Sequence, residues 1–189
     1  MGRKLKAEER IGMEFINKDG CQYFVKDYVD NGNVIVKFVD KYGAEVHTSW
    51  YNCENGKVKN PYTATVYGIG CLGQGYVKGE HGKEYHLWMG MLRRCYSEKY
   101  IKAYPTYENV TVCERWLCFA NFLEDLPLIE NYELWLNSKE KICLDKDLKQ
   151  AGIENKVYSL ETVKFITASD NIIEANERRH GKQCKHKQK

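Results

Sequence analysis

The stretch "KICLDKDLKQAGIENKVYSLETVKFITASDN", Lys141–Asn171, decides how the second half of the chain is read. Ile142 and Leu144 alternate with Cys143 and Asp145, the period of a strand, and this strand ends on the acids Asp145 and Asp147. Residues 163–166 predict a second strand, with Tyr158 and Ser159 in the turn before it. "NIIEANERR" then opens a helix, with Ser169 or Asp170 as the N-cap candidate. Strand, loop, strand, helix is a ββα unit. In such a unit an acid at the end of the first strand and an amide on the helix can meet over one cation, and oxygen ligands of that kind suit magnesium or manganese.

Moving toward the amino end, Tyr85, Trp88, Met91, Leu92, Cys95 and Tyr96 recur at three and four residues. That is a helical stripe facing a core, with Arg93 and Arg94 off it. Trp116, Phe119, Phe122 and Leu123 repeat the period and predict a second helix over "CERWLCFANFLEDL". Six glycines between Gly68 and Gly82 mark a linker, because no fixed phosphate-loop motif accompanies them. From Ile11 to Asn60 the pattern turns to strands. "CQYFVKDYV", "NVIVKFVD" and "AEVHTSW" are rich in β-branched and aromatic residues and are separated by Asn-Gly and Tyr-Gly turns. The expected fold class is therefore α+β: a small N-terminal β-sheet or barrel module, a helical segment, and the ββα unit. The expected divisions are a β-rich module over 1–60, a linker over 61–83, a helical plus ββα domain over 84–177, and a basic tail over 178–189.

With 189 residues, 43% hydrophobic and 13% aromatic, the chain can bury a substantial core. It holds no apolar run of membrane-spanning length, and "MGRKLKAEER" leads into no apolar segment, so the expectation is a cytoplasmic protein with no membrane partner. Eight cysteines sit within apolar patterns and are read as reduced core residues. The net charge of +3 is uneven: residues 178–189 hold six Lys or Arg and no acid, which leaves −3 on the other 177. A tail of that kind, with Arg178, Arg179 and Lys182, can neutralise phosphates, and Arg93 and Arg94 are a second candidate for phosphate contact.

Five motifs, in order, carry a family resemblance. They are "WMGMLRRCY" from Trp88, "VCERWLCFANF" from Val112, "CLDKDL" from Cys143, "VYSLET" from Val157 and "SDN" ending at Asn171. Together they resemble the bacteriophage HNH-like, ββα-metal endonucleases of the type with an LDRID strand and a YSP turn, and the β-rich amino half resembles a module that often precedes this unit in phage proteins. The resemblance implies a bacterial host cytoplasm, DNA as partner, and metal-dependent phosphodiester hydrolysis with Mg or Mn. Carried over to this chain, it implies that Asp145 and Asn171 hold the metal, that Lys146 neutralises phosphate charge, and that Tyr158 acts as nucleophile. The chain departs from the pattern in three places: Lys146 stands where HNH enzymes carry the water-activating His, Leu160 replaces the Pro of the turn, and Thr162 stands where Asn is frequent. These departures keep two further readings open. One is a DNA-binding regulator with a degenerate catalytic centre. The other is a phage anti-defence protein that binds and inhibits a nuclease of the host, a host-protein partner.

Overall fold

The structure, a computed structural model, describes residues 6–75 and 79–186, with side chains as far as Glu177. It is of mixed α+β class and divides into two compact units, Met1–Lys78 and Gly79–Lys189. The division falls inside the expected linker. No helix among the described residues is long and apolar enough to cross a membrane.

In the first unit, a short helix α1 (Ala7–Arg10) leads into β1 (Glu14–Ile16), β2 (Gln22–Asp30), β3 (Asn33–Phe38) and β4 (Glu45–Thr48). These pair in chain order as one antiparallel sheet. Alternation along β2 and β3 sends Tyr23, Val25, Val34, Val36 and Phe38 inward, where they meet Trp50 and Cys53 of α2 (Trp50–Glu54). Ser49 caps that helix by accepting from the Asn52 amide, so "AEVHTSW" is a strand only as far as Thr48. The glycine-rich segment begins as part of this unit rather than as a free linker: Val58 and Tyr62 pack on its core, and the Gly73 amide donates to the Pro61 carbonyl at 2.9 Å.

The second unit starts with α3 (Gly82–Tyr96), which buries Trp88, Met91, Leu92 and Cys95 as the stripe predicts. Then come α4 (Glu98–Ala103), a 3₁₀ turn Pro105–Tyr107 and β5 (Thr111–Val112). The expected second helix is broken. Cys118 is extended (φ −98°, ψ 123°), leaving a 3₁₀ turn Glu114–Leu117 and α5 (Phe119–Asp125). The break lets Trp116, Phe119 and Phe122 all point inward, and the Trp116 carbonyl accepts from the Trp88 indole at 2.7 Å. After α6 (Tyr132–Asn137), β6 (Ile142–Asp145) pairs antiparallel with β8 (Lys164–Thr167), and α7 (Ala168–His186) follows. The helix is started by Thr167, whose hydroxyl accepts from the Asp170 amide, and not by Ser169 or Asp170 as expected. Between β6 and β8 the pattern was read as loop and turn. Instead, β7 (Val157–Tyr158) forms there and pairs in parallel with β5. A two-residue parallel strand leaves no periodic signal in a sequence. The seven described cysteines are free thiols.

Trp88 joins most of this second core, touching Phe119 at 5.2 Å between rings while its N–H is satisfied. Trp88→Ala should cost about 3–5 kcal/mol, a large share of the about 5–15 kcal/mol of an ordinary domain. Urea denaturation followed by circular dichroism measures it, and Trp88→Phe should cost distinctly less.

Candidate functional site

Asp145 ends β6 and is only 5% exposed. Its Oδ2 accepts from the backbone amides of Asp147 (3.0 Å) and Leu148 (2.9 Å), so the carboxylate turns the chain as it leaves the strand. The following loop is fastened by Gln150, which is 4% exposed. Its amide donates to the carbonyls of Lys146 (2.8 Å) and Val157 (2.9 Å), and its Oε1 accepts from the Val157 N–H (2.9 Å). One side chain therefore ties the end of β6 to the start of β7. No pattern in the sequence singled it out.

Tied in this way, Lys146 points inward and is 5% exposed. Its Nζ donates to Asp147 Oδ1 at 2.9 Å, and Lys156 pairs with the same oxygen. The ammonium also stands 4.7 Å above the Tyr107 ring and 5.9 Å from the centre of the Tyr158 ring. Burial lowers its pKa from the ordinary lysine value, with Asp147 opposing the shift. Arg94 meets the same tyrosine, its Nε donating to the phenol oxygen at 3.2 Å. Arg94 was expected off the helical stripe together with Arg93. Arg93 is exposed, but Arg94 falls three residues after Met91 and is half-buried on the core side. Burial opposes its charge, but Tyr158, Tyr107 and Cys95 outweigh this and hold its pKa above the ordinary arginine value. Arg93 stands 5.2 Å above the Tyr100 ring. The structure thus sets Lys146 and Lys156 on Asp147, Arg94 on Tyr158 and Arg93 over Tyr100.

The remaining expected site residues fare differently. Tyr158 is 1% exposed, and burial pushes its pKa far above the ordinary phenol value, with Arg94 only partly offsetting this. A neutral phenol inside the core does not fit the role of nucleophile. Nor does Asn171 come to Asp145. Ile142 pairs with Thr167 and Asp145 with Lys164, so α7 springs from the end of the ribbon opposite Asp145. The separation is three strand residues, ~10 Å, and Asn171 has climbed only ~4.5 Å into the helix. Among the described residues no group of three or more His, Cys, Asp and Glu side chains forms a metal-holding cluster. One oxygen of Asp145 is engaged by two backbone amides, and no hydrogen bond joins Asp145 to Asn171 among the described residues. Arg178, Arg179 and Lys182 fall on α7, and their side chains lie outside the described residues. No family model, curated protein or solved structure matches this chain.

The depressed pKa of Lys146 gives a signed prediction. Below that pKa its buried charge opposes folding in full. As pH rises from there toward the unfolded value of about 10.4, the folded protein releases its proton first and stability increases. Lys146→Met leaves Asp147 paired with Lys156, so the variant should gain about 1 kcal/mol at pH 7. Urea midpoints from pH 7 to 10 should rise less steeply in the variant than in the parent.

Proposed function

We propose that this chain binds nucleic acid through its phosphates, with the cation and tyrosine cluster of the second unit as the contact, and that it carries no metal-dependent cleavage step. The observation behind this reading is the setting of Arg94, which is half-buried with its Nε on a phenol oxygen and with no ion pair to a carboxylate among the described residues. A desolvated guanidinium with open donors attracts an anion that can accept from its planar fork, and a phosphodiester does so. Lys146 adds a second cation at the same tyrosine: its Nζ lies 5.9 Å from the Tyr158 ring centre, and the Arg94 guanidinium carbon lies 5.6 Å from it. Holding Lys146 in a dry site is unfavourable for the free protein. An approaching phosphate would offset that cost.

The strand, strand and helix of β6, β8 and α7 follow the order of the ββα nuclease unit, and Lys146 stands in the HNH histidine position. Both features support a relative of that family in which phosphate binding is kept and water activation is lost. Lys146 donates to Asp147 Oδ1, and an ammonium has no lone pair with which to take a proton from water. The DNA-binding regulator is therefore the reading of the family resemblance that the geometry favours.

Fluorescence anisotropy with labelled oligonucleotides between 50 and 200 mM salt tests the binding. The wild type should show affinity falling linearly on a log–log plot, and Arg94→Met and Lys146→Met should each lower the slope by about one. Supercoiled plasmid incubated with Mg²⁺, Mn²⁺ or EDTA should remain uncut in all three. Metal-dependent nicking that disappears in Asp145→Asn would refute the non-catalytic part of the proposal, and absence of any salt-dependent binding would refute the rest.

A further inference from the structure

The cluster does not end at Tyr107. The Tyr107 ring meets Tyr100 edge-on, with centres 5.6 Å apart at 74°, and Tyr100 lies 4.6 Å from Tyr104 at 34°. Tyr100 and Tyr104 are four residues apart at the end of α4, which places them on one face of the helix. Tyr104 is 53% exposed. Aromatic rings and cations therefore alternate from the buried Tyr158, past Lys146 and Tyr107, to Tyr100 under Arg93 and the open Tyr104. One end of the series is desolvated and positive. The other is a half-exposed tyrosine ring packed on Tyr100.

We propose that Tyr104, backed by Tyr100, is a stacking platform for an unpaired nucleotide base, so that the preferred ligand is single-stranded nucleic acid. This rests on the reading of the cluster as a phosphate contact. A large exposed aromatic in series with Lys146 and Arg93 suits a ligand that pairs flat apolar rings with anionic links, and a nucleotide strand does so at every residue. Bases within a duplex are already stacked on their neighbours and show only their edges, so the face of Tyr104 is open to them only where a strand is unpaired. Tyr104 has backing where a free aromatic would not: the Tyr100 ring fixes its orientation, and Tyr100 is itself held between Tyr107 and the Arg93 guanidinium. A platform restrained in this way loses little entropy when a base settles on it.

The test uses the full chain and four ligands: a single-stranded DNA 20-mer, an RNA of the same sequence, the corresponding DNA duplex, and an abasic DNA strand of equal length. Wild-type protein should bind the two base-bearing single strands more tightly than the duplex or the abasic strand. Tyr104→Ala should lose about tenfold on those single strands with an unchanged salt slope and with no loss on the abasic strand. Tyr104→Phe should retain wild-type affinity. DNA and RNA strands responding alike would identify the bare base as the recognised group, and a loss confined to one would assign the platform to that polymer. If wild-type and Tyr104→Ala proteins bind the single strands equally while both show salt-dependent binding, the platform is refuted and the phosphate contact stands. If the wild type binds none of the four, the phosphate contact is refuted and the platform with it.

Discussion

A lysine ammonium taken out of water must be compensated, and the second unit is arranged around that constraint at Lys146. The side chain is 5% exposed, and its charge is met by one carboxylate oxygen and two tyrosine faces. Asp147 supplies the oxygen and shares it with Lys156. Gln150 supplies the geometry, because its three backbone hydrogen bonds hold the ends of the intervening loop at β6 and β7. Without that tie the ammonium would be free to swing into solvent, the usual behaviour of a long cationic side chain.

The same constraint accounts for the short parallel pair of β5 and β7. Two residues on each strand add few hydrogen bonds, yet they bring Tyr158 under Arg94 and beside Lys146. The 3₁₀ turn Pro105–Tyr107 brings Tyr107 from the other direction. The cluster therefore draws on α3, the turn after α4, the end of β6 and β7, segments up to 64 residues apart in the chain. The second unit also buries an apolar core that includes Trp88, Met91, Leu92, Phe119 and Phe165.

Much of the architecture was legible because it is periodic. Alternation over β2 and β3 and the three-and-four spacing over α3 each appear in the structure with the expected residues inward. Prediction failed where spacing competed with local backbone geometry. The helix expected around Phe119 is interrupted at Cys118, whose backbone is extended, so a 3₁₀ turn and a separate helix carry Trp116, Phe119 and Phe122 inward. Tyr158 was assigned to a turn by the polar residues after it, although the hydrogen bonds of its own backbone go to β5.

Residue types alone identified the positions that carry charge: Asp145, Lys146, Arg93 and Arg94 were all named from the sequence, although Arg94, expected off the core-facing stripe, is half-buried. Their relations were not. Whether Asp145 faces an ion or its own backbone, and whether Asn171 returns to it, depend on the register of β6 with β8. Whether Tyr158 is at the surface depends on its pairing with β5. The sequence by itself determined the α+β class, the inward faces of the long elements and the identity of the cations. Tertiary structure alone decided which of those cations share a site and with which aromatic rings, because contacts across tens of residues are set by strand register and loop closure and leave no mark on local spacing.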